Sequence, residues 1–595
     1  MIRVADYVAK FLSQHGIDTV YLVSGGGMMF LLDGLACNPD ITVVSNHHEQ
    51  ASAMAAVAHA KYTGLGCAYL TTGCGGTNAI TGVLHAWQDG ASCFFVSGQC
   101  KRADTIRNSG LALRQVGAQE ADIVALVEPI TKYAVMVNDP QEIRYHLEKA
   151  LYLATTGRPG PVWVDVPLDV QSSLIDESTL KPFTPPQEEK APCAYAQLVE
   201  SLKEAKRPVI IAGNGVRLSH TTDAFGEFVK KHQIPYVATR LAVDVQPFTA
   251  DLYIGRMGSK GTRAANFAVQ NADLILVLGA RLSIGTTGYE YDKFAPYAKI
   301  VVVDIDPVEH QKSSVSIDEF IECDLRDFFA DFPQNGYQAP AAWRAKCLEW
   351  KEMFPLYAKE THTNENGIDL YYFTDCLSRS LAGDDVVVAD AGSATNVPAQ
   401  ALILTDKRQR YITSGGQAEM GFTLPATVGL CMASGHRAIG ITGDGSLQMN
   451  IQELQTIAHY NLPAKIFVWN NAGYLSIRNT QNAYFEGRKL GSDYESGVTF
   501  PDLRKLADAY GIKYILADKP ENMMKDIADT LAGDMPVICE VMCDPGQQTI
   551  PSVTSRVRED GKMESSPLDD MAPFLPRDVY EAQCVAKLEG EEQKK

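Results

Sequence analysis

The sequence of 595 residues contains no Cys-x-x-Cys pair, although it has 13 cysteines. Small disulfide-stapled proteins have a regular cysteine framework, and no such framework is present here. Buried cysteines that act as small hydrophobic residues are the simpler interpretation for most of the 13. We therefore expect free thiols in a reducing compartment, and a cytoplasmic location.

Long apolar runs and a basic block are also absent, and we expect no secretory signal. No apolar stretch is long enough to span a bilayer, and residues 1–6 do not open the pattern of a cleaved signal. The net charge is -19, which argues against a nucleic-acid-binding protein. The composition, 46% hydrophobic and 21% charged, is that of a soluble globular protein. We expect small-molecule partners, with no nucleic acid and no membrane.

Three segments of the chain alternate short apolar strands with helical stretches. This alternation predicts the α/β class, with a doubly wound parallel sheet in each segment. The predicted units are residues 1–175, 194–335 and 366–550, followed by a polar, irregular tail at 551–595. The charged, proline-rich stretch at 181–192 is interpreted as a linker. The predicted strands lie at 19–23, 41–44, 68–70, 94–96, 161–167, 208–215, 274–279, 300–306, 386–390, 438–442, 464–469 and 536–541.

The strongest functional signal lies in the third segment. A buried-strand pattern at 438–442 is followed by Gly-Asp-Gly-Ser at 443–446, a helical stretch, a second apolar run and paired asparagines. This order places Asp444 and Asn471 at the carboxyl ends of two strands, where open α/β sheets bind ligands. Their side-chain oxygens suit Mg²⁺, which usually also takes phosphate oxygens. The glycines let the backbone approach a diphosphate, so the pattern predicts half of a thiamine diphosphate site.

Each fragment of this pattern also has an ordinary interpretation. A Gly-Asp-Gly sequence is often only a turn, and two asparagines are often only a loop. The two fragments together, with strand and helix patterns in the right places, favour the functional interpretation, because context is what confirms a short motif.

Thiamine chemistry also needs a carboxylic acid beside the aminopyrimidine ring, to promote loss of the C2 proton of the cofactor. Such a carboxyl should lie in an apolar pocket, where burial raises its pKa. Glu49 is the candidate, because it begins an alanine-rich helix directly after a predicted strand. From position alone, a solvated glutamate favoured by the helix dipole is the better interpretation.

A series of motifs resembles the catalytic subunits of acetolactate synthases, which are thiamine diphosphate enzymes. The matching segments are 45–56, 72–79, 96–99, 119–124, 129–132, 157–162, 207–209, 304–307 and 420–425, within residues 1 to about 545. The resemblance implies pyrimidine, central and diphosphate domains. It also implies that Glu49 of one subunit serves the cofactor held by Asp444 and Asn471 of another. The active unit is then at least a homodimer, and a homotetramer is equally open.

The resemblance implies roles for individual residues. Glu49 activates the aminopyrimidine, Gln119 lies near the reacting carbonyl, and Met420 holds the cofactor in its bent form. A methionine is more often core packing, but the Gly-Phe-Thr-Leu-Pro that follows it favours the wedge. The implied ligands of Mg²⁺ are Asp444, Asn471 and the carbonyl of Gly473, and the implied cofactor contacts also include Gly25, Gly26, Gly392, Ser393, Gly443, Gly445 and Ser446.

Two of these positions have plain alternatives. Gly25 and Gly26 match a glycine pair that lets a loop approach the substrate, and the alternative is an ordinary turn. Lys132 matches a family lysine near the substrate entrance, and the alternative is a surface lysine.

The sequence differs from the family pattern at positions expected near the substrate. The methionine and tryptophan that the family has after its paired asparagines are absent from 471–482, and Ala118 and Cys74 replace a phenylalanine and a proline. A larger cavity admits larger partners, so we expect an acceptor bulkier than pyruvate. The stretches 473–478 and 562–571 resemble related carboligases that act on keto-sugar nucleotides, and this resemblance implies an acceptor of that kind. Tyr474 and Arg478 could supply polar contacts to it, and a structural salt bridge is the equal alternative for Arg478.

The leading hypothesis is therefore a thiamine diphosphate-dependent carboligase. It would decarboxylate pyruvate or a similar 2-oxo acid and transfer the acyl unit to a carbonyl acceptor. A 2-oxo-acid decarboxylase or a C–C hydrolase is the close alternative, and a non-catalytic scaffold of the same fold is the alternative of another class. Acetolactate synthases hold FAD in the central domain, but the stretch 279–288 lacks the acidic pair, so FAD stays an open possibility.

Overall fold

The computed structural model describes residues 1–187, 193–333, 336–358, 363–557 and 560–592. It contains three six-stranded sheets, and every strand pair within them is parallel. Helices alternate with these strands along the chain, so the predicted α/β class with three doubly wound sheets is confirmed. Residues 188–192 of the predicted linker and residues 593–595 of the tail lie outside the described residues.

The first sheet is formed by the N-terminal part of the chain. The strands of this part are β1 Ile2–Arg3, β2 Thr19–Leu22, β3 Thr42–Ser45, β4 Gly66–Leu70, β5 Cys93–Gln99, β6 Tyr133–Met136, β7 Val162–Pro167 and β8 Leu174–Ile175, of which β2 to β7 form the sheet. Its helices are α1 Val4–Gln14, α2 Met29–Ala36, α3 Glu49–Thr63, α4 Cys74–Asn78, α5 Ile80–Asp89, α6 Ile106–Ser109, α7 Ile123–Val127, α8 Ile143–Thr155 and α9 Leu168–Gln171. The sheet order is β3-β2-β4-β5-β7-β6, and β1 pairs with β8 in a separate antiparallel ribbon.

The second sheet has its strand order reversed at one central strand. Its strands are β9 Pro208–Ala212, β10 Tyr236–Ala238, β11 Tyr253–Arg256, β12 Leu274–Leu278, β13 Lys299–Asp304 and β14 Glu319–Glu322. Its helices are α10 Ala196–Glu204, α11 Gly215–Leu218, α12 Thr222–His232, α13 Arg263–Gln270, α14 Ile284–Thr287, α15 Leu325–Asp331 and α16 Ala341–Met353. The order is β11-β10-β9-β12-β13-β14, so the chain leaves β9 first toward one edge and later toward the other. A crevice therefore opens at the carboxyl end of β9.

The third sheet brings the motif-bearing strands together. Its strands are β15 Val386–Ala389, β16 Arg410–Thr413, β17 Ala438–Gly443, β18 Ala464–Asn470, β19 Lys513–Ala517 and β20 Val537–Met542. Its helices are α17 Leu370–Ser380, α18 Gly392–Ala401, α19 Thr423–Ser434, α20 Asp444–Leu447, α21 Glu453–His459, α22 Leu475–Tyr484, α23 Leu503–Tyr510 and α24 Met523–Leu531. The order is β16-β15-β17-β18-β20-β19. Since β15, β17 and β18 are adjacent and parallel, their carboxyl ends meet at one edge.

The C-terminal tail differs from the irregular tail that its sequence predicts. It forms a hairpin of β21 Ser555–Val557 and β22 Met563–Ser565, followed by helices α25 Arg577–Gln583 and α26 Val585–Glu592. Leu568 and Met571 are buried against the central domain, and Asn266 Nδ2 donates to the Leu568 carbonyl at 2.8 Å. Val553, Leu575, Tyr580 and Val585 are partly buried against the same core, so apolar contacts dock the tail.

The expectation of free thiols is wrong for one pair of cysteines. The fold brings Cys193, just before α10, against Cys323 at the end of β14, and the two form a disulfide across 130 residues. Two thiols so far apart in sequence give no spacing signal. Among the described residues, no helix combines the length and the apolar character that crossing a membrane requires.

The first and third domains of the chain pack through α3 and α19. The alanine-rich α3 is buried along most of its length, because it lies between its own sheet and α19. Gly429 on α19 makes this approach possible, since a Cβ there would lie 2.3 Å from the Ala55 carbonyl oxygen. The small side chains that mark α3 in the sequence therefore serve helix packing between domains.

Candidate functional site

Asp444 and Asn471 meet where β17 and β18 end. Asp444 opens α20, and its Oδ2 accepts hydrogen bonds from the backbone N–H groups of Asn471 at 3.1 Å and Gly473 at 3.2 Å. Its Oδ1 accepts from the Gly445 N–H at 2.7 Å. The carboxylate is thus fixed by three backbone donors and holds the loop after β18 against the loop after β17.

The electrostatics of this pair suit a bound cation. Asp444 is 3% exposed, and burial raises its pKa to about 6. The side-chain oxygen of Asn471 is buried and has no hydrogen-bond partner among the described residues. In the part of the chain that the structure describes, no cationic side chain pairs with Asp444. A carboxylate beside such an amide oxygen is a donor set that fits Mg²⁺, which prefers oxygen ligands.

Arg478 supports the same loop through hydrogen bonds to backbone carbonyl groups. It is 7% exposed, and its guanidinium donates to the carbonyls of Asn471 at 2.9 Å, Ala472 at 3.3 Å and Pro545 at 2.7 Å. These contacts give Arg478 a structural role in the loop, and among the described residues it forms no ion pair. The charge instead neutralises the carbonyl dipoles of a tight loop, in which Ala472 has a left-handed φ of 57°.

Close packing also explains two glycines of the site. A Cβ on Gly473, whose φ is 148°, would lie 2.2 Å from the Ser492 carbonyl oxygen. A Cβ on Gly445 would lie 2.2 Å from a ring carbon of Tyr474, which packs edge-on against Phe500. The Tyr474 ring therefore covers the Gly-Asp-Gly turn. Gly445 is required by space, and Gly473 by both space and conformation.

Asp390 is a buried carboxylate that the sequence motifs do not reveal. It follows β15, is fully buried, and its Oδ2 accepts from the hydroxyls of Ser446 at 2.5 Å and Thr442 at 3.0 Å. Ser446 Oγ in turn accepts from the Gly421 N–H at 2.8 Å. Burial raises the pKa of Asp390. One carboxylate thus joins three loops, those that carry Gly392, Ser446 and Met420.

Met420 lies between two anchored neighbours. Gly421 is held by Ser446, and the preceding Glu419 accepts from Ser414 Oγ at 2.5 Å and lies 2.5 Å from Nδ1 of His85, which belongs to α5. Met420 itself is half-buried, and Ala418 has a left-handed φ of 50°. The loop that presents Met420 is therefore held in place by both the first and the third domain.

Gly392 and Ser393 open α18 at the same edge. Gly392 has a left-handed φ of 59°, and a Cβ there would lie 3.0 Å from Ser476 Oγ. Ser393 is half-buried in the first turn of the helix. The structure thus gathers seven of the predicted residues at adjacent strand ends: Gly392, Ser393, Gly443, Asp444, Gly445, Ser446 and Asn471.

Glu49 lies in the first domain, at the start of α3, as its sequence position predicts. It is 8% exposed, and its Oε2 accepts from Asn78 Nδ2 at 3.0 Å. The neighbouring Gln50 contacts the third domain, where its Oε1 accepts from Asn450 Nδ2 at 3.1 Å. Among the described residues, no hydrogen bond joins Glu49 to Asp444, Asn471 or Met420.

Gln119 lies on an exposed loop of the first domain and has a left-handed φ of 60°. Gly73 packs against its carbonyl, which a Cβ on Gly73 would approach to 1.9 Å. The next residue, Glu120, is buried and accepts from the N–H groups of Ile106, Val116 and Gly117. The carboxylate of Glu120 fixes the loop, so that Gln119 is held in a strained and exposed position.

Lys132 and Gly25 have packing contacts, whereas Gly26 has none within 4 Å of an added Cβ. Lys132 Nζ donates to the carbonyls of Thr156 at 2.5 Å and Arg158 at 2.8 Å, contacts that favour a packing role. A Cβ on Gly25 would lie 2.3 Å from Thr71 Oγ1, whereas Gly26 faces open space. Gly25 is therefore required by close packing, and Gly26 borders a free volume.

The sequence matches three family models in order along the chain. They are the N-terminal TPP binding domain of thiamine pyrophosphate enzymes over residues 2–126, the central domain over 195–332, and the C-terminal TPP binding domain over 390–541. The acetolactate synthase large subunit of Lactococcus lactis subsp. lactis is 31% identical over 562 residues, which cover 93% of this chain and 94% of that protein. The chain belongs to the acetolactate synthase large-subunit family.

Further relatives come from distant organisms. The probable acetolactate synthase large subunit of Methanocaldococcus jannaschii is 31% identical and covers 91% of this chain and 92% of its own length. Acetolactate synthase 3, chloroplastic, of Brassica napus is 30% identical and covers 93% of this chain and 85% of its own length. The protein is thus a thiamine diphosphate-dependent enzyme of the acetolactate synthase kind, as the sequence motifs indicate.

Membership of this family raises the question of FAD in the central domain. The carboxyl ends of that sheet border a cavity lined by several arginines, including Arg240, Arg256 and Arg281. Guanidinium groups suit the diphosphate of such a dinucleotide. The donor set fits the diphosphate that FAD shares with other nucleotides, and no described residue identifies a place for the flavin ring.

Proposed function

We propose that this enzyme is a carboligase that decarboxylates pyruvate or a similar 2-oxo acid and transfers the acyl unit to a carbonyl acceptor. The observation that carries the proposal is the donor set at the edge of the third sheet, where buried Asp444 lies beside the unpartnered oxygen of Asn471. Mg²⁺ bound there by Asp444, Asn471 and the Gly473 carbonyl would hold the diphosphate of the cofactor.

The residues of the chain have distinct tasks in this proposal. When bound, thiamine diphosphate supplies a carbanion and accepts the electrons of decarboxylation. The backbone amides that open α18 and α20 bind the diphosphate, and Met420 supports the ring system from an anchored loop. Glu49 holds the proton that is exchanged with the aminopyrimidine, and Gln119 orients the carbonyl group of the substrate.

We also propose that the active site lies between two subunits of a homo-oligomer. The support is that the Glu49 carboxylate faces α4 of its own domain, where Asn78 binds it, and not the Asp444 loop of its own chain. A second chain that presents Glu49 to Asp444 would complete the site, as isologous dimers do for a shared surface.

The acceptor in this proposal is bulkier than pyruvate, and a keto-sugar nucleotide is an example. The support is the small size of two exposed side chains beside the expected reaction centre, Ala118 next to Gln119 and Ala472 next to Asn471. Tyr474 and Arg478 are engaged by Gly445 and by loop carbonyls, so acceptor specificity would rest on the space around these alanines.

Product analysis tests carboligation directly. The purified enzyme with thiamine diphosphate and Mg²⁺ should convert pyruvate and an added ketone into a coupled product. Release of acetaldehyde alone would refute carboligation and indicate a decarboxylase, and hydrolytic cleavage of a 1,3-dicarbonyl compound would indicate a C–C hydrolase. Asp444→Ala is the control variant, because it should abolish any product that depends on the metal-bound cofactor.

A ketone series with one variant tests the acceptor. The wild-type enzyme should accept ketones from acetone to nucleotide-linked keto-sugars, whereas Ala118→Phe should keep small acceptors and lose the bulky ones. Equal profiles for the two proteins would show that space at Ala118 does not set acceptor size. Failure of calorimetry to detect thiamine diphosphate binding to the wild-type protein would instead indicate a non-catalytic scaffold.

A further inference from the structure

A buried cluster of four ionisable side chains joins the first domain to the loop that carries Met420. We call it the charged quartet, and its members are Lys61 of α3, His85 and Asp89 of α5, and Glu419 of the loop itself. The side chains of His85 and Asp89 are 0% and 1% exposed, and those of Glu419 and Lys61 are 8% and 12% exposed. Ionisable groups are costly to remove from water unless they are paired, so the contacts among the four define what the cluster does.

Two members of the charged quartet hold the start of the loop. Lys61 Nζ donates to the Thr413 carbonyl at 2.7 Å, and the carboxylate of Asp89 accepts from the N–H groups of Gly415 and Gly416, both at 2.8 Å. Lys61 also binds Asp89 at 2.6 Å, so the two charges compensate each other. All three loop contacts are with backbone groups, and they therefore fix the path of the chain whatever its side chains do.

His85 and Glu419 hold the end of the loop, directly before Met420. Nδ1 of His85 lies 2.5 Å from Glu419 Oε1, and Oε2 accepts from Ser414 Oγ. Burial acts to raise the pKa of Glu419, but His85 and Ser414 lower it below its ordinary value. Glu419 is therefore ionised and can only accept, so Nδ1 of His85 carries a hydrogen and donates. The charged ring and the neutral Nδ1 tautomer both have this donor, so the anchor does not depend on the charge of His85.

The His85 ring also joins the two ends of the loop to each other. Its Nε2 lies 2.8 Å from Lys61 Nζ and 3.2 Å from Asp89 Oδ2, the two groups that hold the start of the loop. Its face packs against Phe422, with 4.6 Å between the ring centroids. One imidazole therefore contacts residues on both sides of Met420 and the pair that fixes the path of the chain before it.

We propose that His85 is a positioning residue for Met420, and that it acts through its hydrogen bond to Glu419. The inference rests on the proposed role of Met420 at the cofactor ring. A methionine side chain is unbranched and has three rotatable bonds, so its place depends on how firmly its backbone is held. A misplacement of about 1 Å at a reacting centre can cost about 100-fold in rate. The first domain thus has a second task in the reaction, besides the one proposed for Glu49.

Hydrogen–deuterium exchange in the cofactor-free protein tests the anchor itself. His85→Gln places an amide near the position of Nε2, so it keeps partners for Lys61 and Asp89 but offers no donor at the position of Nδ1. Release of Glu419 should free Ser414, whose Oγ accepts from the Ala418 N–H at 2.9 Å. Amide exchange over 417–420 should therefore rise about tenfold, which corresponds to the loss of one charge-assisted hydrogen bond. Exchange at 415–416 should stay slow, because the bonds to Asp89 remain.

His85→Asn is the conservative variant, because its amide nitrogen lies near the position of Nδ1. It should keep the donor to Glu419 and restore slow exchange over 417–420. Glu419→Ala removes the same hydrogen bond from the side of the loop and leaves the other three members of the quartet in contact. It should reproduce the effect of His85→Gln, and the double variant should add little to either, since one contact is lost in all three.

Exchange of the C2 proton of bound thiamine diphosphate tests the consequence for the site. The protein is saturated with the cofactor and Mg²⁺, exposed to D₂O, quenched in acid and examined by proton NMR. His85→Gln should slow this exchange about 10- to 100-fold, and His85→Asn should recover most of the rate. Calorimetric affinity for the cofactor should stay near that of the wild type, because Asp444 and Asn471 are untouched. A slow proton exchange with unchanged affinity is the result that a positioning role predicts.

His59→Gln is the matched control, because it makes the same substitution at another buried histidine between the same two domains. His59 is 6% exposed, and its Nδ1 lies 2.9 Å from the Tyr21 hydroxyl, which donates to the Gly429 carbonyl at 3.3 Å. Among the described residues, no hydrogen bond joins His59 to the loop 413–422. His59→Gln should leave amide exchange over 417–420 and C2 proton exchange at wild-type rates.

The outcomes separate this inference from the proposed function. If Met420→Ala slows C2 proton exchange but His85→Gln does not, the role of Met420 stands and the inference about His85 is overturned. The inference is also overturned if His85→Asn is as slow as His85→Gln, or if His59→Gln is equally slow. Wild-type C2 exchange in Met420→Ala would refute the proposed role of Met420, and failure of the wild-type protein to bind the cofactor would refute the proposed function. Amide exchange in the cofactor-free protein reports on the anchor in every case.

Discussion

Replacing Asp390 by alanine should damage cofactor binding more than the loss of stability alone would suggest. The carboxylate accepts hydrogen bonds from Ser446, Thr442 and the Ala391 N–H, at 2.5, 3.0 and 2.7 Å. Asp390→Ala would leave these buried donors without an acceptor, at a cost of about 1 to 3 kcal/mol each before the site relaxes. We expect a net destabilisation of about 2 to 4 kcal/mol.

The effect on cofactor binding follows from a second hydrogen bond of Ser446. Its oxygen accepts from the Gly421 N–H, so a displaced Ser446 also releases the loop that carries Met420. Loss of preorganisation in the strand-end loops should weaken thiamine diphosphate binding by about 10- to 100-fold. Calorimetric titration with the cofactor at saturating Mg²⁺ measures this change. Asp390→Asn, which keeps one accepting oxygen, should recover part of the affinity.

Asp385 provides a matched control at the opposite end of the same strand. It is 2% exposed and binds the Arg437 guanidinium at 2.6 and 2.7 Å, so Asp385→Ala should also destabilise the domain. Its distance from the site should leave cofactor affinity near that of the wild type. Wild-type affinity in a folded Asp390→Ala protein would refute the reasoning. Equal loss of affinity in Asp385→Ala would show that global stability, and not loop position, is responsible.

Three further predictions follow from other contacts. Glu49→Gln should fold normally, as circular dichroism and melting curves would show. It should lose most of its turnover, because an amide cannot exchange the proton with the aminopyrimidine. Wild-type rates in this variant would refute the assignment of Glu49. Gly473→Ala should lose cofactor and Mg²⁺ binding in calorimetry, since its Cβ would lie 2.2 Å from the Ser492 carbonyl, and unchanged affinity would show that the loop adapts. Burial raises the pKa of Asp165 to about 7, although Ser97 donates to it at 2.5 Å. The folded state then holds this proton to higher pH than the unfolded chain, so the stability of the fold should decrease as the pH rises from about 4 to 7. In Asp165→Asn the melting temperature should depend less on pH over this range. The same pH dependence in both proteins would contradict this prediction.

The sequence predicted the interior strands of each sheet well, because they are almost wholly apolar. Runs such as 274–279 and 438–442 have no polar face, since helices cover both sides of a parallel sheet. The strands of these three sheets that the sequence did not reveal are at or near sheet edges, and most of them carry a charged residue. They are β6, β10, β11, β14, β16 and β19.

The candidate site was predictable to the extent that its residues belong to local motifs. Asp444 and Asn471 each follow an apolar run, so their place at strand ends can be read from the sequence. Asp390 also ends such a run, yet its partner Ser446 lies 56 residues away, and no local pattern reports that contact.

The measurement that tests the account most directly is complementation between two inactive variants. Glu49→Gln and Asp444→Ala are purified separately, mixed, dissociated and reassembled. If the site is shared between subunits, each mixed dimer contains one intact site, and random reassembly should restore about a quarter of wild-type activity. If Glu49 and Asp444 of the same chain form the site, no mixture regains activity, and the account is contradicted.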